Sequence, residues 1–375
     1  MKKKLGSFFL FLIMLSLLVG VVLFAYVIYE DLFKGDTVQT LHADTNSVVT
    51  DQGIETSTKI EKKNPIETIT DIFTNNNDKE TIEYTNTNSS GNFYYEQLSD
   101  AAKIIYNGLQ DNKQNIQSGD YSIEYGNTFY ELLSKENGDT ILGDDFQSAV
   151  EAFTHDNSDL FFLNVQGLYL NIQTNKRVLG TTYNVSIKPQ EGRKYYTDGF
   201  ESKEQVLNAI NKLETYKNYI KSQATNNTYN NIKMIHDFII NNIEYDQNYE
   251  NKNRYNIYGA LVEKKCVCEG YARAFKYLAD AIGIENILMQ GTATNSQMQV
   301  ENHAWNAVKI ANSWYLIDVT WDDPIIIGNG YLPKNTHYKY FLKGTNSFYK
   351  DHKLETQITR NGKTYKYPEI SETDY

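Results

Sequence analysis

Cys268, His303 and Asp318 are a thiol, an imidazole and a carboxylate in chain order. Those are the residue types of a nucleophile, its base and the group that orients the base. They share one stretch, 265–324, which reads KCVCEGYARAFKYLADAIG, a β-rich passage, ENHAWNAV, a tight turn and WYLIDVTWDDP. The chemistry open to such a set is acyl transfer. A thiolate attacks an amide carbonyl, and the imidazole carries the proton to the departing amine.

The elements that must position these groups follow from local pattern. After Cys268, the residues Ala272, Phe275, Leu278, Ala279 and Ile282 recur at helical spacing, and Gly283 closes the run. Cys268 therefore opens a helix, where unpaired N–H groups and the macrodipole favour a thiolate. The backbone N–H of Cys268 is placed to serve as one oxyanion donor. His303 to Ile310 and Ser313 to Trp321 read as strands joined at Ala311-Asn312, with Asn supplying the positive φ of a two-residue turn. If Ile310 pairs with Ser313, His303 faces Thr320 and Trp305 faces Asp318. His303 and Asp318 are then diagonal neighbours on one face, about 7–8 Å apart at Cα. A slip of one residue would send them to opposite faces.

GYA after the cysteine, HAWN, and WYLIDVTWDDP resemble the transglutaminase-like superfamily of papain-fold cysteine enzymes, in its bacterial branch. IHDFIINNIEYD and YGALVEKK are similar to that branch as well, so the resemblance covers about residues 225–325. It implies Cys268 as nucleophile, His303 as base and Asp318 as orienting group, on helices packed against an antiparallel sheet. It does not fix the reaction; the expected one is acyl transfer on protein or peptide amides, by cross-linking or deamidation. Two alternatives share the fold: a cysteine peptidase with the same triad, and a catalytically inactive surface binding module.

The 375 residues leave room for one large domain or two modest ones with extensions. A net charge of −11 argues against a nucleic-acid surface. Cys266 and Cys268 are the two cysteines, too close in sequence for an unstrained bridge and too few for a cysteine-based zinc site. Cys266 reads as a small neighbour of the nucleophile. Asp322 and Asp323 read as a turn; no calcium loop surrounds them, and neither metal nor cofactor is expected. Trp305 and Trp321 alternate with the catalytic set, and core packing accounts for at least one of them. His236 lies on an isoleucine-rich helix and reads as structural. His337 and His352 have no partner legible in sequence, and His42 and His155 read as surface residues.

Lys2, Lys3 and Lys4 precede a stretch free of charge from Leu5 to Tyr29. Its length suits a bilayer, so residues 1–29 are expected to form a single-pass membrane anchor, or a cleaved signal, with the bulk of the chain extracellular. Residues 30–91 are rich in Thr, Asn, Asp, Ser and Lys and read as a disordered tether. On that basis the chain from about residue 92 is expected to fold without what precedes it. Residues 92–195 form an N-terminal α+β region and 196–375 the catalytic domain.

In the first of these, Leu98, Ala101, Ala102, Ile105 and Leu109 make a helical stripe, and 145–153 a short helix. Strands are expected at 160–170 and 177–188, separated by a turn at Thr174-Asn175. In the second, Ser202 and Gln205 form a capping box ahead of a helix through Val206, Ile210, Leu213 and Ile220. Another helix carries Ile232, Ile235, Ile239 and Ile243. Strands are expected at 284–292, 338–342 and 364–367. The fold class is α+β.

Overall fold

The computed structural model describes residues 19–23, 25–26, 36–42, 57–61, 92–177, 180–190, 192–323, 337–354 and 365–375. Among these, no helix is long and apolar enough to cross a membrane. Most of the expected anchor lies outside the described residues.

Two antiparallel sheets carry the architecture. The first has five strands: β1 (Asp36–His42), β2 (Ser57–Glu61), β3 (Ile123–Gly126), β4 (Leu168–Arg177) and β5 (Gly180–Pro189), in the order β2-β1-β4-β5-β3. Helices α1 (Asp100–Asp111), α2 (Lys113–Ser118), α3 (Tyr130–Leu133) and α4 (Gly138–Asp156) belong to this part of the chain. Ser99 starts α1 by accepting from the Ala102 N–H, and Ala102, Ile105, Tyr106 and Leu109 form its buried stripe.

The second part begins with α5 (Lys203–Gln223), α6 (Thr228–Ile240), the two-residue strands β6 (Glu244–Tyr245) and β7 (Lys265–Cys266), and α7 (Ile257–Leu261) between them. Helix α8 (Cys268–Asp280), which Cys268 opens, follows. Next come β8 (Asn286–Thr294), β9 (Val300–Ile310), β10 (Ser313–Ile317), α9 (Thr345–Phe348) and β11 (His352–Leu354). The second sheet has the order β10-β9-β8-β11. The capping box forms as expected: the Ser202 hydroxyl accepts from Gln205 N, and the Gln205 side chain accepts from Glu201 N. Gly283, at φ 74°, closes α8 as anticipated.

One apolar cluster runs through both parts, from Tyr94 and Phe153 to Phe275, Trp305 and Ile370. Polar ties cross it. The Tyr94 hydroxyl donates to the Leu288 carbonyl on β8, and Arg273 Nη1 donates to the Thr154 carbonyl at 3.1 Å. The N-terminal α+β region and α8 therefore share a core.

Several elements differ from the sequence reading. The stretch 30–91 contributes β1 and β2, so it is not disordered throughout. β1 pairs with β4 from Thr37↔Thr174 to His42↔Tyr169, where backbone hydrogen bonds replace the missing apolar content. Thr174-Asn175 lies inside β4, whose pairing with β5 continues to Arg177↔Gly180. The run Leu160 to Leu163 is buried on every side chain and forms turns, with β4 starting only at Leu168. Residues 338–342 are not a strand: Leu342 has φ 51°, and the Tyr340 N–H goes to the Asp322 carboxylate. Residues 365–367 are irregular.

A fragment starting at residue 92 keeps the shared core but exposes the β4 edge that β1 covers. Its thermal midpoint is expected several degrees below that of a fragment starting at residue 30. Equal midpoints by circular dichroism would show that β1 and β2 add nothing to stability.

Candidate active site

The site is built where α8 meets the face of the second sheet. Cys266 forms the last residue of β7, Val267 is the N-cap, and Cys268 is the first residue of α8. Val267 supplies no side-chain cap, so the first-turn N–H groups of α8 are not satisfied by a capping side chain. Gly270 permits this close entry. A Cβ there would sit 2.5 Å from the Cys266 Cβ and 2.7 Å from the Arg254 carbonyl. Cys268 is part-exposed and packs against Ala272, Leu288 and Ala304. Asn306 fastens the helix to β9 by donating to the Ala272 carbonyl at 3.1 Å.

As far as β10 runs, the β9–β10 register is the one anticipated, with Ser313 opposite Ile310 and Ile317 opposite Asn306, but the strand stops short of the expected pairs of His303 with Thr320 and Trp305 with Asp318. The turn differs in one respect, since Ala311 and not Asn312 takes the positive φ, at 54°. β10 ends at Ile317, and Asp318 opens a tight turn in which Asp322 N donates to the Asp318 carbonyl. His303 Nε2–H donates to Asp318 Oδ2 at 2.8 Å. The Asp318 side chain is fully buried, and Oδ1 accepts from Thr320 N at 3.0 Å and Trp321 N at 3.2 Å.

Opposing effects set the charge states here. Burial pulls the His303 imidazole down, but the charge and hydrogen bond of Asp318 outweigh it, and the neighbouring Cys268 adds to them. The result is a ring lifted to about 10. For Asp318 burial acts upward, yet His303 and then His352 hold the carboxylate well below its usual range. Cys266 is fully buried, and burial pushes its thiol well up. Trp321 lies part-exposed with its ring centroid 5.3 Å from that of His303, whereas Trp305 is a core residue.

Against this geometry, comparisons with known proteins place the central part of the chain. Residues 214–319 match the Transglutaminase-like superfamily. That stretch carries Cys268, His303 and Asp318. A curated mouse (Mus musculus) protein, kyphoscoliosis peptidase, is 29% identical over 128 residues, 32% of this chain and 18% of its own length. A solved structure described as a TGase is 17% identical, covering 46% of this chain and 48% of that one, with a TM-score of 0.27. Another, described as a putative cysteine protease from Cytophaga hutchinsonii, is 18% identical with a TM-score of 0.25, covering 40% and 57%. The transglutaminase-like stretch thus spans a small part of its curated relative.

Sequence reasoning missed His352. It is 2% exposed on β11; its Nε2 lies 3.1 Å from Asp318 Oδ2, and its Nδ1 lies 2.8 Å from Asp351 Oδ1. No local pattern announces it, because β11 reaches the site by pairing with β8, far away in sequence. The adjacent Asp351 was the one hint. His303, Asp318 and His352 are also close enough to be weighed as metal ligands. Ligand atoms about 2.0 Å from a tetrahedral ion stand about 3.3 Å apart. At 2.8 and 3.1 Å from one oxygen, the two nitrogens fit N–H donors better.

Asp322 and Asp323 do not form a calcium pair. Asp322 is buried against His236 Nε2 at 3.1 Å, and Asp323 accepts from the Tyr271 hydroxyl at 2.7 Å. His236 is the structural histidine expected. His155, read as a surface residue, packs its ring on Tyr94.

The pair gives a pH signature with a definite sign. His303, raised to about 10 against roughly 6.5 when unfolded, stabilises the fold fully below that lower value and progressively loses this effect as pH rises through about 10. Asp318, depressed, contributes stability that is lost only in strong acid. The thermal midpoint should therefore fall more between pH 7 and 10 in the native protein than in His303→Gln, as read by parallel melts. Equal falls would show that His303 is not charged in the folded state.

Proposed function

We propose that this protein is a cysteine-dependent acyl-transfer enzyme acting on protein or peptide amides. The observation that carries the reading is the buried His303–Asp318 pair, bound through Nε2, on the sheet face against which α8 packs with part-exposed Cys268 at its start. In this reading Cys268, as thiolate, attacks the amide carbonyl. The oxyanion faces the unpaired N–H groups of the first turn of α8. His303 gives its proton to the departing amine, a thioester remains, and Asp318 holds the ring's tautomer and its charge. An amine that attacks the thioester yields a cross-link; water yields deamidation.

A second reading, main-chain cleavage by the same three residues, draws support from the curated relative named a peptidase. In both readings the charge-free stretch from Leu5 to Tyr29 favours a membrane-anchored enzyme whose catalytic part works outside the cell. Both also predict an active thiol, which a binding module without catalysis would lack.

Burial separates the two cysteines. In the folded protein iodoacetamide should alkylate the part-exposed Cys268 well ahead of the buried Cys266. Cys268→Ala should abolish turnover, and Asp318→Asn should lower it by about 10⁴-fold, through the wrong tautomer. Turnover is read by mass spectrometry after incubation with a glutamine-containing protein and a primary amine. Amine adducts or a gain of one mass unit indicate transfer or deamidation, and new chain termini indicate cleavage. Preferential labelling of Cys266 with an active Cys268→Ala variant would overturn the assignment.

A further inference from the structure

His352 is the strongest feature of the molecule that the mechanism above does not use. The sheet places it deliberately. His303 on β9 pairs with Gly291 on β8, which pairs in turn with Leu354 on β11. His352 pairs with Ala293, two residues along β8, so both histidines stand on one face of the sheet. Gly291 and Ala293 keep that face low between them. The two rings lie 5.5 Å apart and converge on a single atom, Asp318 Oδ2.

We propose that His352 is a positioning residue that acts on His303 through Asp318, by taking part of the carboxylate's charge with a second N–H donor. The inference rests on the catalytic reading above. A carboxylate whose four acceptor positions are filled cannot rotate toward a better partner, and each donor shares its charge. With His352 present, Asp318 orients His303 without holding its proton so tightly that transfer to the departing amine fails.

The groups around His352 are consistent with a fixed donor. Asp351 Oδ1 faces its Nδ1, and Asp351 Oδ2 accepts from the Tyr340 hydroxyl at 2.7 Å. Lys339 donates to that hydroxyl and lies 3.8 Å from Asp351. Asp318 and His303 face the ring from the other side, with Cys268 beyond His303 and Asp322 beyond Tyr340 and Asp318. Phe348 and Trp321, with ring centroids 4.1 and 4.5 Å from that of His352, leave the ring little freedom to turn.

The test has two arms. In the native protein, ¹⁵N-histidine NMR should show Nε2 of both His303 and His352 bearing a proton near neutral pH. An unprotonated His352 Nε2 would overturn the proposal without any variant. In the second arm, Cys268 alkylation by iodoacetamide is followed against pH in His352→Phe and His352→Gln. The Phe variant keeps an aromatic ring and loses the donor; the Gln variant keeps an N–H toward Asp318.

In the Phe variant the alkaline inflection of the profile should move up by about one unit and amide turnover fall about tenfold, with KM within about threefold. The Gln variant should return most of both changes. Profiles that match the native one in both variants, with only the melting temperature lowered, would reduce His352 to a packing residue and sink the idea. A native protein whose Cys268 does not react would instead defeat the catalytic reading, leaving the NMR arm to judge the hydrogen bond alone.

Discussion

A fully buried carboxylate is the constraint on which the rest of this site depends. Removing an ion from water costs several kcal/mol unless partners in the interior replace its hydration. Asp318 has four. Two histidine nitrogens reach Oδ2, and two backbone N–H groups reach Oδ1. The four donors come from three separate pieces of structure. β9 brings His303, β11 brings His352, and the tight turn after β10 brings the N–H groups of Thr320 and Trp321. The order of the second sheet, the register of its central pair and the shape of that turn are all tied to one oxygen pair.

A similar device occurs beside it. His236 on α6 lies between Asp322, at 3.1 Å from Nε2, and its neighbour Asp237, at 3.0 Å from Nδ1. Asp322 in turn accepts from the backbone of Tyr340, whose carbonyl accepts from Asp318 N. Two histidines, each facing two carboxylates, thus flank one five-residue turn, 318–322. α6 and β11 are far apart in sequence, yet both are fastened to this turn. Its rigidity comes from polar groups that satisfy each other, in addition to apolar packing.

The part of the site legible in sequence was the part governed by local rules. Helical spacing after Cys268 and a hairpin around Ala311-Asn312 were enough to point the thiol, imidazole and carboxylate at one neighbourhood, and the register came out as drawn up to Ile317, where a turn replaces the expected strand. What escaped depended on distant pairing. His352 joins only because β11 docks on β8, and nothing within 351–354 encodes that partner. The strands β1 and β2 escaped for the opposite reason. Their polar composition reads as solvent-exposed chain, while an edge strand needs backbone partners more than apolar side chains. Residues 160–163 and 338–342 misled because apolar and aromatic runs were taken as extended. In the first the side chains are buried without alternation, and in the second a left-handed Leu342 interrupts the chain.

The pairing of β1 with β4 also changes how far the folded body can stand from residues 1–29. A free tether over residues 30–91 would let that body sweep a wide volume around them. With Asp36 already hydrogen-bonded in the sheet, only residues 30–35 separate the fold from the charge-free segment that ends at Tyr29. Fully extended, six residues span about 20 Å. On the proposed reading, in which a membrane holds that segment, the folded body would stand almost against it. Substrates would then be drawn from a thin layer at that surface, where a modest number of bound molecules amounts to a high local concentration.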